Sequence, residues 1–303
     1  MIALNSMEWM SFGNILSSQY FFDTLSLMFI EKEIFNLGVK SDSSCLDQTR
    51  RFEYPWVMHH IPGGCKRVLD AGGGDSVFQF WLARNFGSVV NVEIQQKYID
   101  RVLLTLSSLK AEENLQDKPQ GLSSGVPPPL SDYLSMRHNQ YQTREDPTDY
   151  IKPSPSQFTP ALKHEAPLRR FYEVKQKSKS YGNLEVKKCF IHELEYPDGY
   201  FDCCVCVSVL EHIRRKYGSP IENIEKLRRI TDGPVLLTFD VFFNDAGSLH
   251  GEPSEVMGIH FERDLVPILE HYHIAPPENK LVMSWKVDDV VFGVVALCLD
   301  GGS

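Results

Sequence analysis

Residues Arg67-Val68-Leu69-Asp70-Ala71-Gly72-Gly73-Gly74-Asp75-Ser76 join a short apolar run, a carboxylate and three consecutive glycines. A chain that must turn sharply and let a ligand lie against its backbone needs residues without Cβ, and a strand-to-helix turn is where such residues cradle small molecules. The dinucleotide fingerprint G-x-G-x-x-G would require glycine or alanine at position 77, which is Val77. An NAD site is therefore excluded at this loop. A second acid, Glu93, ends the β-branched run Ser88-Val89-Val90-Asn91-Val92-Glu93, nineteen residues after Gly74. In an open α/β sheet that position grips ribose hydroxyls.

The pattern V-L-D-x-G-x-G, with the acid two residues before the first glycine, resembles motif I of class I S-adenosylmethionine-dependent methyltransferases. Three further segments follow in the expected order. They are the Glu93 strand, the run Leu194-Glu195-Tyr196-Pro197-Asp198-Gly199-Tyr200-Phe201-Asp202 leading through Cys203–Val207 to Val209-Leu210-Glu211-His212-Ile213, and Gly233–Asp240. The second of these is similar to the "L-P-F-P-D-G-S-F-D" entry and "V-L-E-H-I" exit of the small-molecule branch typified by ubiquinone and menaquinone methyltransferases.

The resemblance implies a Rossmann-like, doubly wound α/β fold: a seven-stranded sheet of order 3-2-1-4-5-7-6 with a C-terminal antiparallel hairpin. It also implies S-adenosyl-L-methionine as cofactor. That ligand carries a sulfonium and an α-amino group but no pyrophosphate, so a strand-end carboxylate suits it better than a bare helix N-terminus. The implied cofactor-binding residues are Asp70, Gly72, Gly74, Glu93, Phe190, Ile191 and Ser208. Two positions depart from the family pattern. Ser76 replaces the third motif glycine and is expected to cap the following helix. Phe190 replaces the Asp that accepts from the adenine amino group, so adenine is expected to be held by stacking or by backbone around Phe190, Ile191 and His192. No metal is implied.

Methyl transfer needs a base only where the acceptor must lose a proton. His212, just past the fourth strand, is the first candidate, because an imidazole takes protons near neutral pH. Asp240, His250 and His260, near later strand ends, are secondary candidates whose ordinary role is structural. A small molecule or a glycan or lipid precursor is the acceptor that the resemblance of the fourth-strand motifs to the small-substrate branch implies, and no N-P-P-Y signature of DNA or protein methylation occurs. An RNA or protein acceptor, or a non-catalytic cofactor-binding module, are the alternatives.

The elements that must position these residues are legible by pattern. Residues 1–50 read as a helical segment from Phe21, Phe22, Leu25, Met28 and Phe29. Residues 51–303 form the catalytic domain, entered through a helix with Pro55 in its first turn. Ile99, Val102, Leu103, Leu106 and Leu109 mark a helix after the second strand. Leu281–Lys286 and Asp289–Leu299, joined at Val287-Asp288, read as the terminal hairpin.

A proline-rich insertion occupies about residues 116–180, and residues 119–167 alone hold nine of the eighteen prolines. So little apolar surface does not repay ordering entropy, so a partly disordered segment with a lid-like end around Phe171 and Tyr172 is expected. Residues 163–188 then carry eight Lys and Arg against three Glu, the basis of the RNA alternative.

The net charge of −9 disfavours a nucleic-acid partner for the chain as a whole. Seven scattered cysteines give no pairing pattern and fit a reducing, cytoplasmic setting. Cys203, Cys204 and Cys206 lie on a continuous strand that divides them between its two faces, which makes them buried small hydrophobes rather than metal ligands. The apolar run Ile15–Ile30 is broken by Ser17, Ser18, Gln19 and Asp23, so no transmembrane span is expected.

Overall fold

The computed structural model describes residues 6–7, 23, 26, 27, 30, 31, 34, 50–116, 181–242, 258–274, 284–287 and 290–301. The proline-rich insertion, the Phe171 and Tyr172 region and His250 lie outside them.

Apolar and β-branched runs build a parallel sheet buried on both faces. β2 (Arg67–Ala71) lies between β3 (Ser88–Glu93) and β5 (Cys203–Val207), with Asp70 level with Asn91 on one side and Val205 on the other. β4 (Leu184–Lys188) extends the sheet beyond β3, and β6 (Val235–Phe242) extends it beyond β5, all in parallel. β9 (Val290–Leu299) runs antiparallel along the full length of β6. β8 (Ser284–Val287) folds back on the start of β9 as a tight hairpin, with Val287 opposite Val290. Counting β2, β3, β4, β5, β6, β8 and β9 as the first to seventh core strands, the order is 3-2-1-4-5-7 with the sixth hairpinned onto the outer edge of the seventh, as the resemblance implies. Two short pieces complete the edges: β7 (Ile259–His260) beside the end of β6, and β1 (Ser6–Met7) on the rest of β9's outer edge. β1 and β8 shorten the edge that β9 offers to another chain.

Helices cover both faces. α1 (Arg50–His60), α2 (Phe78–Asn85) and α3 (Gln96–Gln116) bury Trp56, Phe78, Leu82, Val102 and Leu106 against Val68, Val89, Cys203 and Val205. On the opposite face, α4 (Pro220–Arg229) and α5 (Val266–His271) bury Ile224, Leu227, Ile268 and Leu269 against Leu69, Val90, Cys204 and Cys206. Neighbouring residues of one strand thus feed different cores, and the three cysteines divide between the faces as expected. Among the described residues no group of His, Cys, Asp or Glu forms a metal cluster, and no helix is long and apolar enough to cross a membrane.

Three local details fix the strand ends. Ser219 caps α4 by accepting from the Glu222 N–H at 3.2 Å, while Glu222 accepts from the Ser219 N–H at 2.7 Å. The Pro197–Tyr200 turn needs Gly199 at φ +62° and delivers Asp202, whose Oδ2 accepts the N–H groups of Lys66 and Arg67 at 2.6 and 2.8 Å. Part of the methyltransferase-like entry sequence is therefore structural, because it sets the starts of β2 and β5 level. The first helix begins at Arg50, so Pro55 lies in its second turn rather than its first. An Arg50–Glu53 ion pair and the stacking of Tyr54 on Phe78 at 4.7 Å hold that extra first turn.

Candidate cofactor site

All parallel strands end on one edge of the sheet, and the glycine loop turns there between β2 and α2. Gly72 and Gly74 adopt φ of +80° and +59°, a region costly to residues with a Cβ. A Cβ at Gly72 would drive into the Val209 side chain, and one at Gly73 into the Asp70 carboxyl group. The loop is thus pinched between its own strand-end acid and the segment after β5. From behind it is buttressed by buried amides. Gln79 Nε2 donates to the carbonyls of Gly74 and Ser76 at 3.2 and 3.0 Å, and Asn91 Nδ2 donates to Gly74 O at 3.3 Å and to Gln79 Oε1. Arg101 on α3 clamps Asp75 at 3.0 Å.

Sequence reasoning missed these supports, although Asn91 gave a signal: a polar residue inside a β-branched strand that is buried on both faces. The expected helix-capping role of Ser76 is corrected. α2 is preceded by Val77 in a helical conformation with no side-chain cap, and the Ser76 hydroxyl instead engages Tyr54.

Asp70 is 2% exposed, and its Oδ2 has no hydrogen-bond partner. Burial, reinforced by the Glu93 carboxylate, pushes its pKa up to about 7. A buried carboxyl group left without a donor is a site suited to a ligand cation or N–H group. Glu93 is differently occupied: Oε1 accepts from the N–H groups of Ile94 and Gln95 at 2.7 Å each, and Oε2 accepts from Gly74 N–H at 3.1 Å. A carboxylate has about four lone-pair sites, so acceptor capacity remains on Oε2 for a hydroxyl.

Unfolded, an aspartate ionises near pH ~4. Because the folded-state value of Asp70 is higher, its stabilising contribution is complete below that range and is lost as pH rises through about 7. Asp70→Asn is therefore expected to melt higher, relative to wild type, at about pH 8 than at about pH 5. Thermal melts at the two pH values check this, and a pH-independent difference would show that Asp70 carries its charge without penalty.

Ser208 follows β5 at φ +49°, and its Oγ donates to Glu53 Oε1 at 2.7 Å. Ser208 is therefore tied to α1. Phe190 leads into a 3₁₀ turn, Ile191–Glu193, with its ring stacked on Tyr217 at 4.7 Å and beside His192 at 5.3 Å. Tyr217, from the loop after β5, had no sequence signal beyond its type. Ile191 is buried at 6% exposure in the core, so it offers only backbone toward the edge. Cys189 N–H donates to Glu93 O at 3.3 Å, which links this loop to the end of β3. Asp70, Gly72, Gly74, Glu93 and Ser208 are thus brought together along one edge, with Phe190 and Ile191 in the next loop.

His212 ends a short turn, Leu210–His212, at the protein surface; desolvation by the neighbouring chain and then the Arg50 charge lower its pKa, against the opposing effect of Glu53. The interior of this turn is formed by Leu210 and by the carboxylic acid Glu211, each at 3% exposure. His260 is buried on β7, and its N–H donates to Asp264 at 2.9 Å.

A polar cluster that sequence reasoning did not assemble fills the space between α1 and the ends of β5 and β6. Glu53, fully buried, pairs with Arg50 and accepts from Ser208 and Thr238 hydroxyls at 2.7 and 2.6 Å. Burial works against the Arg50 charge, but Glu53 beside it outweighs this and raises the guanidinium pKa. Burial also pushes the Tyr54 hydroxyl up to about 12, keeping it a neutral donor.

No family model matches the chain, and no curated protein matches it either. Solved structures do. One is an S-adenosylmethionine-dependent methyltransferase from Aquifex aeolicus, 14% identical, covering 88% of this chain and 97% of that one at a TM-score of 0.39. Another is geranyl diphosphate C-methyltransferase from Streptomyces coelicolor A3(2), 11% identical, covering 82% and 77% at 0.44. A third is the [4+2]-cyclase SpnF, 10% identical, covering 98% and 100% at 0.44. The fold assignment rests on the strand order and register described above.

Proposed function

We propose that the chain binds S-adenosyl-L-methionine on the glycine loop and transfers its methyl group to a small molecule or a glycan or lipid precursor. The observation that carries this reading is the buried Asp70 carboxyl group, its Oδ2 without a partner, beside a loop whose backbone is bare at Gly72, with Glu93 one strand away. The residues fit the ligand's chemistry. Asp70 would take the amino acid end, Glu93 the ribose hydroxyls, and the Phe190 and Ile191 loop the adenine, with Gly72 and Gly74 giving the close approach. Bound there, the cofactor supplies an electrophilic methyl group that needs alignment more than acid catalysis. The buttressed loop would orient it, with Ser208, held by Glu53, offering its backbone at the end of β5. His212, whose pKa is shifted toward the neutral imidazole, would take an acceptor's proton.

Glu93→Gln is expected to weaken S-adenosylhomocysteine binding by about 1–3 kcal/mol, the scale of a charge-assisted hydrogen bond. Calorimetric titration of both proteins measures this; equal affinities would move the ribose elsewhere. For activity, a fractionated metabolite extract incubated with methyl-labelled cofactor should yield a labelled small product. Labelling confined to RNA or protein would move the acceptor to those classes.

A further inference from the structure

Glu211 and Asp240 sit at the end of the site farthest from Glu93. Glu211 Oε1 accepts the Asp240 N–H at 3.2 Å, while Glu211 Oε2 and Asp240 Oδ1 are both buried with no hydrogen-bond partner. The Asp240 backbone N–H thus holds the Glu211 carboxyl group close enough to feel the Asp240 charge, and two such groups shielded from water resist ionising together. Their position relative to the proposed cofactor follows from the sheet. At its carboxyl edge the order is Glu93 on β3, the glycine loop after β2, Ser208 to Glu211 after β5, and Asp240 on β6, in strands about 4.8 Å apart. With ribose at Glu93 and adenine toward β4, the charged end of the ligand runs across the glycine loop toward β5. A Cβ at Gly72 would meet the Val209 side chain there, two residues from Glu211.

We propose that the Glu211 and Asp240 pair carries a proton that it releases to solvent when a sulfonium cation occupies the glycine-loop site, so that the pair balances the charge of the cofactor. The proposal rests on the cofactor reading above. No covalent bond changes in this step; one proton leaves the pair and one positive charge arrives beside it. The carboxylate left behind is the form able to take a proton from an acceptor hydroxyl or amine, and a neutral thioether in the same place leaves the pair protonated.

The groups around the pair support this. Burial and then Asp240, with Glu53, push Glu211 well above the carboxylate range, against its backbone hydrogen bonds. Burial and then Glu53 push Asp240 up to about 7, against Arg50. Glu53 is already neutralised by Arg50, so neither serves the pair as a free counter-ion. Tyr54 stays neutral, His212 is shifted toward its neutral form, and burial holds Cys206 as a thiol. His260 on β7 lies beside the end of β6, with its backbone committed to Asp264. The missing cation is what a sulfonium supplies.

S-adenosylmethionine and S-adenosylhomocysteine differ by the methyl group and its charge, so proton release common to both, such as that from Asp70, cancels in their comparison. Calorimetric titrations of the full chain at about pH 7, in two buffers of different ionisation heat, count the protons. S-adenosylmethionine is expected to release about half a proton or more in excess of S-adenosylhomocysteine. The excess should vanish in Asp240→Asn and in Glu211→Gln and persist in His212→Ala. Equal release by the two ligands in wild type, or an excess that survives in both carboxyl variants, overturns the proposal while leaving the cofactor reading intact. Absence of binding by both ligands overturns the cofactor reading and this proposal with it. Should the carboxyl variants fail to fold, wild type alone decides the matter. The affinity ratio of S-adenosylmethionine to S-adenosylhomocysteine should climb with pH below about 7, approaching tenfold per unit, and level off above. A flat ratio overturns the proposal.

Discussion

Glu53→Ala is expected to destabilise the protein by about 3 kcal/mol, the lower end of the cost of breaking a buried ion pair by removing one partner. Glu53 is fully buried, and its two oxygens serve an arginine on its own helix, a hydroxyl after β5 and a hydroxyl on β6. Truncation leaves the Arg50 charge without its carboxylate and the Ser208 and Thr238 hydroxyls without an acceptor. The Arg50 side chain keeps 23% exposure, and water reaching it is why the lower end applies. Equilibrium denaturant unfolding measures the loss. A cost below about 1 kcal/mol, the value of a surface pair, would show that Glu53 does not join the three elements.

Gly72→Val is expected to abolish binding of S-adenosylhomocysteine while the sheet stays folded. Two effects combine. A valine at φ +80° costs about 1–2 kcal/mol in backbone strain, and its Cβ occupies the space of the Val209 side chain. Relief requires the loop or the segment after β5 to move, and either movement displaces the surface on which the ligand would lie. Gly74→Asn is the contrasting variant. A Cβ at Gly74 meets only Glu93 Oε2 at 3.9 Å and Tyr98 at 4.0 Å, and asparagine tolerates left-handed backbone. Its far-ultraviolet circular dichroism should match wild type. Calorimetry on both variants checks the order of effects, and unchanged affinity in Gly72→Val would remove the loop from the site.

What the sequence made legible followed from local pattern. Parallel strands buried on both faces read as unbroken apolar runs, and Asp70 and Glu93 stood out because each is an acid closing such a run. The glycines were readable because the chain needs φ that other residues resist. Other parts depended on contacts that local pattern does not encode. Glu53 looked like an ordinary charge in a helix entry, and its role appears only when Ser208, 155 residues away, and Thr238, 185 residues away, arrive beside it. Pro55 drew the helix start too late, because proline's first-turn preference says nothing of an ion pair one turn earlier. Ser76 read as a cap until Tyr54, from a preceding helix, claimed its hydroxyl. The Glu211 and Asp240 pair followed the same rule: both residues were visible, but only the β5–β6 register makes them neighbours.

The central claim is that the glycine loop holds an adenosyl amino acid rather than a dinucleotide. Equilibrium titration of the wild-type chain with S-adenosylhomocysteine, and in parallel with NAD⁺, tests it without knowledge of the acceptor. Saturable one-to-one binding of S-adenosylhomocysteine, with no binding of NAD⁺ at the same concentrations, is the predicted result. A folded protein that leaves S-adenosylhomocysteine unbound, or one that takes NAD⁺ at a site lost in Gly72→Val, would contradict it.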